Sequence, residues 1–327
     1  MRLAVTGASG HIGANLCRGL LKKGHEIKVL IHNSQESLEG LPVEQVRGNL
    51  HNMESLNTLI DGVEMLIHLG AAISIDRDLS ERVIETNVEG TKNILQIVKQ
   101  HSSVKRFIHF SSIHALQNEP IDKPLDESRP LVIGDANIYN HSKAKGEQLV
   151  LDEVKNGLDA VIISPTSVIG PNDFAPSLVG QAIIQICNNK LPALVSGGYD
   201  WVDVRDVVDG TISAIEKGKT GERYLLSGNW ESLSNLNLFI KQIHPETKKL
   251  LVMPHWLAFL GVPFLKVWAQ TMKKRPLYTR ESIDILKSGH RNILSLKAKN
   301  ELDYKCRPLL ETLRDTIHWF KQHRYIR

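Results

Sequence analysis

Val5-Thr6-Gly7-Ala8-Ser9-Gly10-His11-Ile12-Gly13 constrains the fold of this chain more than any other stretch. The residues before the turn, Arg2 to Val5, read as a strand, and those after it place Leu16, Leu20 and Leu21 at helical spacing. A strand, a turn of small residues and a helix opening near His11 gather orphan backbone N–H groups at the positive end of a helix dipole. Glycines there let an anion approach closely. The expected occupant is a pyrophosphate, and the expected structure is the first βα unit of an α/β domain.

Downstream, apolar runs at Leu3–Thr6, Ile27–Ile31, Met65–Leu69, Arg106–Phe110 and Ala160–Ser164 alternate with helical periodicity. The helices are expected near His11–Lys23, Met53–Ile60, Asp78–Gln100 and Asn137–Asn156. This alternation predicts an α/β fold with a Rossmann-type doubly wound parallel sheet, to which Arg223–Leu226 returns as a further strand. Gly24 is expected to close the first helix, and Asn52 or His51 to precede the second. After Pro165 the pattern loosens around Gly170-Pro171-Asn172-Asp173 and Gly197-Gly198. The expected organisation is a dinucleotide-binding domain over residues 1–169, rejoined by about 197–228, with a smaller C-terminal substrate-binding region from 170–196 and 229–327. Ligands of such sheets lie beyond the carboxyl ends of the strands, so the loops after Leu69, Phe110 and Ser164 should face them.

A chain of 327 residues can bury a core without disulfides or a structural metal. Its 40 basic and 36 acidic side chains leave a net charge of +4, too mild a balance to argue for nucleic acid. Cys17, Cys187 and Cys306 are far apart and in no metal-ligand spacing, so reduced thiols, no metal and a cytoplasmic location are expected. The immediate start on a strand leaves no secretory signal to expect. Leu251 to Met272 is rich in apolar residues, but Pro254, His255, Pro263 and Lys266 argue against a membrane span. A lid over an apolar site, ordinary core and a membrane-surface contact ending in Lys273-Lys274-Arg275 all remain open for it.

Chemistry is expected at Ser111-Ser112, which ends a strand, and at Tyr139 and Lys143, which share a helix face by their four-residue spacing. A phenol ordinarily ionises near pH 10, so acid–base work near neutrality needs a cation beside it. Ser112 and Tyr139 would hydrogen-bond a carbonyl oxygen, Tyr139 would give the proton, and Lys143 would lower the Tyr pKa and hold a ribose hydroxyl. A turn or capping role for the serine, and a solvated Tyr and Lys, are the alternatives.

Together, Thr6–Gly13 (TGASGHIG), His68–Ala72 (HLGAA), Asn87–Thr91 (NVEGT), His109–Ser112 (HFSS), Tyr139–Lys143 (YNHSK) and Pro165–Asp173 (PTSVIGPND) resemble the extended short-chain dehydrogenase/reductase superfamily, that is, the NAD-dependent epimerase/dehydratase family. Trp201–Gly210 and the tail from Lys297 extend the likeness, which points to the dihydroflavonol-4-reductase and 3β-hydroxysteroid dehydrogenase-like branch. The resemblance implies that Ser112, Tyr139 and Lys143 are catalytic. It implies that Gly7, Gly10, Ile12 and Gly13 cradle the pyrophosphate, with Ser9 and His11 beside them. Leu69, Gly70 and Ala71 would line the adenosine side, Asn49 and Leu50 the adenine, and Pro165, Thr166 and Val168 the nicotinamide. Asp206 is expected to cap the following helix. A homodimer through the helices Asp78–Gln100 and Asn137–Asn156 is a further possibility that the resemblance raises.

The chain departs from the family at Gly48-Asn49-Leu50, where Asp is usual, and at Ser164-Pro165, where Arg-Pro is usual. The end of the second strand reads Ile31-His32-Asn33-Ser34, with no acid before Glu36 to hold a free ribose 2′-hydroxyl. NADP is therefore preferred over NAD, although His32 stands where NADP-using relatives have Arg. An NAD(P)-dependent oxidoreductase acting on a carbonyl or alcohol of a small, partly apolar substrate is the expected function. A nucleotide-sugar epimerase or dehydratase is the alternative, and a non-catalytic NADP-binding regulator a further one. Against the sugar nucleotide, Tyr199 precedes Asp200-Trp201-Val202 where an Arg would grip a diphosphate, and no Gly-Arg-x-x-Asp element is recognisable near Gly289-His290-Arg291.

Overall fold

The computed structural model describes residues 1–32, 35–73, 80–134, 137–259, 283, 286–287 and 289–326. The chain opens with β1 (Arg2–Thr6) and α1 (His11–Lys22), closed by Gly24 at φ +80° just past the Lys23 cap. β2 (Glu26–Ile31), β3 (Glu44–Arg47), α2 (Met53–Ile60) and β4 (Met65–His68) follow. Asn52 caps α2 by accepting the Ser55 N–H at 2.9 Å. α3 (Ser80–Ile84) runs through a π turn (Glu85–Glu89) into α4 (Gly90–Gln100), and β5 (Arg106–Phe110), α5 (Ile138–Lys155) and β6 (Ala160–Pro165) complete the series. The beginning of the expected Asp78–Gln100 helix lies outside the described residues.

The second half holds β7 (Ser167–Ile169), α6 (Leu178–Cys187), β8 (Leu194–Val195), β9 (Gly198–Asp203), α7 (Val204–Lys217), β10 (Arg223–Leu226), β11 (Asn229–Ser232), α8 (Leu233–Ile243), β12 (Val252–Met253), α9 (Leu296–Leu302) and α10 (Leu309–Gln322). The main sheet has the order β10-β6-β5-β4-β1-β2-β3, and every pairing in it is parallel. Its strands are nearly continuous apolar runs because helices cover both faces. Leu3, Val5, Val29 and Ile67 pack toward α1, α7 and α9, while Ala4, Leu66, Phe107 and Ile162 pack toward α2, α4 and α5. β3 escapes sequence reading because only Val46 of its four residues is buried.

A second core joins Ile183 and Ile186 of α6, Trp201 of β9, Leu236 and Ile240 of α8, and Leu313, Ile317 and Phe320 of α10. β9 is its hub, parallel to β7 and antiparallel to β11, while β12 lies parallel to β8. Asp203, rather than the expected Asp206, caps α7: it accepts the Arg205 N–H at 2.7 Å. The helix begins immediately after Asp203, so Asp206 falls inside the first turn and accepts the backbone N–H of Arg307 at 2.7 Å and its guanidinium. Arg205 in turn reaches Asp315 of α10 at 2.6 Å, fastening the C-terminal helix to α7. The apolar stretch after Leu251 is described only to residue 259, with Leu251, Trp256 and Leu257 exposed and Ala258 in the second core. Its continuation and Lys273-Lys274-Arg275 lie outside the described residues, and among those described no helix is long and apolar enough to cross a membrane.

Candidate active site

The strand order reverses between β1 and β4, which opens a crevice at their carboxyl ends. The glycine turn lies there. Gly7 has φ +71°, and a Cβ on it would come within 2.7 Å of the Leu69 carbonyl carbon. A Cβ on Gly13 would lie 2.2 Å from the Gly7 oxygen. The turn thus excludes side chains and leaves the N-terminus of α1 open, which fits a dinucleotide pyrophosphate.

One cavity of about 1170 Å³ runs from this turn across the sheet edge. Every sequence-expected cofactor residue lines it: Gly7, Ser9, Gly10, His11, Ile12 and Gly13 at the turn, His32, Asn49 and Leu50 beyond β2 and β3, Leu69, Gly70 and Ala71 after β4, and Pro165 at the end of β6, Thr166 after it and Val168 in β7. Ser112, Tyr139 and Lys143 line the same cavity. Some of these side chains are already engaged. The His11 Nε2 is 3.1 Å from the Pro171 carbonyl, and the Thr166 hydroxyl donates to the buried Asp200 carboxylate at 2.7 Å. Asn33 and Ser34, part of the cofactor-choice motif, lie outside the described residues.

Ser112 follows β5 in extended conformation (φ −158°), and its hydroxyl accepts the His114 N–H at 3.2 Å. Tyr139, in the first turn of α5, hydrogen-bonds Ser112 and meets the His114 ring edge-on at 6.2 Å. Lys143 is buried, and its Nζ donates to the Phe110 carbonyl at 2.6 Å. Burial brings Lys143 down to about 8, against the opposing pull of the Glu147 carboxylate. Burial also raises the Tyr139 pKa above that of an ordinary phenol, with the Ser112 hydrogen bond acting in the other direction. The expected lowering of Tyr139 by Lys143 is not met in this arrangement: burial raises the phenol, Ser112 supplies the opposing influence, and the ammonium is directed at Phe110.

A buried polar chain connects the elements around this centre. The Gly70 N–H donates to Thr6 Oγ1 at 3.1 Å, and that hydroxyl donates to His68 Nδ1 at 2.7 Å. Thr91 donates to the Asn87 carbonyl at 2.7 Å, so the His68 Nε2, 3.2 Å away, is the donor to Thr91. Asn87 then bonds Ala72 in both directions and donates to Ser142 Oγ at 2.9 Å, which donates to the Tyr139 carbonyl at 2.8 Å. His68 is neutral in this chain, its pKa lowered to about 3 by burial and by the Lys143 charge. No local pattern marks His68, Thr91 and Ser142, because their contacts form across three separate elements.

Beyond Tyr139 the cavity enters a chamber walled by Leu178, Ala182 and Ile183 of α6, Leu194 of β8, Trp201 of β9 and Leu236 of α8. Tyr199 also faces it. Among the described lining residues no Lys or Arg comes from this part, and Arg291 instead holds its guanidinium 4.9 Å from the Trp230 ring centre. Asp173, 2 % exposed, accepts both the N–H and the hydroxyl of Ser177 and so fixes the entrance to α6.

The sequence pattern of the NAD dependent epimerase/dehydratase family matches residues 3–227. Sterol demethylase protein B of Methylococcus capsulatus is 31% identical over 98% of this chain and 99% of its own length. A putative dihydroflavonol 4-reductase of Synechocystis sp. is 30% identical over 99% of this chain and 95% of its own. Among solved structures, that of gox2253 superposes with a TM-score of 0.84 at 30% identity, covering 99% of both chains.

Proposed function

Because this chain belongs to the NAD dependent epimerase/dehydratase family and is an enzyme of the extended short-chain dehydrogenase/reductase type, we propose that it interconverts a carbonyl and an alcohol on a partly apolar substrate. The observation that carries this reading is the position of Ser112, Tyr139 and Lys143 where the dinucleotide groove meets an apolar chamber. A nucleotide-sugar substrate would bring a diphosphate against the chamber walls from α6, β8, β9 and α8, whose described lining residues include no guanidinium; Arg82, which also lines the cavity, comes from α3. The names of the two relatives refer to a sterol and to a dihydroflavonol, in keeping with an apolar body next to the reacting oxygen.

When bound, the cofactor supplies a hydride to the carbonyl carbon, or accepts one from the alcohol carbon in the opposite direction. In reduction the electron pair of the C=O bond moves onto oxygen, where the Ser112 and Tyr139 hydroxyls meet the developing charge. Tyr139, its phenol kept protonated by burial, gives its proton to that oxygen, and the Lys143 ammonium stabilises the phenolate left behind. Gly7, Gly10, Ile12 and Gly13 would hold the pyrophosphate, and Lys143 would hold a ribose hydroxyl. NADP is the proposed partner, since residues 32–35 carry no carboxylate to repel a 2′-phosphate and His32 lies exposed at the cavity edge.

Thermal melting in the presence of NADPH, NADH, UDP-glucose and UDP-galactose tests the reading. A ligand bound only by the folded state at a hundredfold excess over its Kd stabilises by about 2.7 kcal/mol. Stabilisation by NADPH without a response to UDP-sugars, followed by NADPH consumption with apolar ketones or aldehydes, is the expected result. A UDP-sugar that raises the midpoint with cofactor present would replace this proposal with an epimerase or dehydratase.

A further inference from the structure

Glu147 lies one helical turn beyond Lys143 on α5, away from the residues assigned to cofactor and substrate, and its side chain is completely buried. Three groups converge on its neighbourhood. The hydroxyl of Ser111, at the end of β5 and adjacent to Ser112, donates to Glu147 Oε2 at 2.5 Å. Arg223 of β10 donates from Nε to Oε1 at 2.5 Å and adds a second contact from its other nitrogen. Lys143 lies within electrostatic reach on the same helix. Arg223 is itself anchored by donating to the Glu127 carbonyl at 3.1 Å, while the Glu127 carboxylate accepts the Leu225 N–H at 2.9 Å. A buried carboxylate in such a place is costly unless it is paired and hydrogen-bonded, and this one is both.

We propose that Glu147 is a positioning residue of the candidate centre: held between Ser111 and Arg223 one helical turn from Lys143, its carboxylate fixes α5 against the strand end that carries Ser112 and presents a negative charge to the Lys143 side of the helix. The proposal deepens the oxidoreductase reading and rests on it for its catalytic meaning. The other groups around Lys143 do not substitute for this carboxylate. His68 of β4 and His109 of β5 are held neutral by burial, with the Lys143 charge a secondary cause for both. The Phe110 carbonyl contributes a dipole. From the π turn packed on α5, Asn87 is turned to Ser142, and Glu85 is shared with His51 at 3.8 Å. Glu147 is thus the acid that opposes the desolvation of Lys143.

The test reads Lys143 directly, without substrate. Isotope-labelled lysine side chains are titrated by NMR in the full-length protein, with Lys143→Met assigning the signal. Wild type should titrate near the buried value of about 8. Glu147→Gln should titrate about one unit lower, a tenfold change in the protonation equilibrium. Arg223→Gln removes the competing cation and should move Lys143 the opposite way, which general loosening would not do. This second variant decides the matter if Glu147→Gln does not fold. An unchanged Lys143 titration in the folded variants, or shifts of the same sign, overturns the proposal. Failure of the oxidoreductase reading would look different: no turnover of any carbonyl by wild type, with the lysine shifts intact.

Discussion

At the scale of single residues, the proposed reaction gives Tyr139 and Lys143 separable jobs. Tyr139→Phe removes the proposed proton donor and keeps the ring, so reduction should fall by about 10²–10⁴-fold. Cofactor affinity, measured by fluorescence titration, should be nearly unchanged; equal turnover would rule out this donor. Lys143 is charged below about pH 8 and neutral above it, so kcat/KM for reduction should decline as pH rises through that value. A profile flat to pH 10 would show that the ammonium is not required. These residues were legible in the sequence because their relation is local: a strand end for Ser112, and one turn of helix between Tyr139 and Lys143. Their supports were not. The Asn87–Ser142 bond joins residues 55 apart, and the Glu147–Arg223 bond residues 76 apart, so no local pattern announces them.

At the scale of elements, α6 and α8 wall one end of the cavity, the proposed substrate end, and the βα units the other, the proposed cofactor end. Ala182→Phe should therefore fill the chamber, raising KM for bulky ketones while leaving the NADPH-induced thermal shift unchanged. A loss of cofactor binding instead would mean that the two compartments are not separate. Asp203 ends β9, caps α7 and neutralises Arg205. Replacing it with Ala removes a cap and leaves a half-buried guanidinium short of a partner, at an expected cost of about 1–3 kcal/mol in denaturant unfolding. The misassigned cap shows how element boundaries resist sequence reading. Asp203 and Asp206 are both plausible caps by residue type, and the tertiary contact of Asp206 with Arg307 decides which one is used.

For the whole molecule, burying neutral histidines under the sheet edge makes stability sensitive to acid. His68 titrates in the fold only near 3, and His109 is likewise held well below its ordinary value by burial. Between that depressed value and about 6.5 the unfolded chain binds these protons and the folded chain does not, so stability falls as pH drops through the window. Asp206 works in the opposite sense, since burial raises it to about 6 and the fold holds its proton more tightly than the unfolded chain does. Glu127 and Asp200, also raised by burial, act with Asp206, while His25 and His244, lowered by burial, act with His68 and His109. With four histidines on the acid-sensitive side, the unfolding midpoint in urea should drop from about pH 7 to about pH 5, and ring-nitrogen NMR should find the His68 and His109 imidazoles neutral throughout. Titration of either ring near its ordinary value would refute the assignment.

The parallel sheet, the tight glycine turn after β1 and the candidate set Ser112, Tyr139 and Lys143 could be read from the sequence by itself, because strand period, helix period and glycine geometry act over a few residues. The tertiary structure alone decided that the chamber beyond Tyr139 is apolar, that Arg291 turns to Trp230, and that Glu147 meets Ser111 and Arg223. Those outcomes depend on which distant side chains share one buried volume. Close packing and the cost of an unpaired buried charge settle that, and neither is written in local spacing.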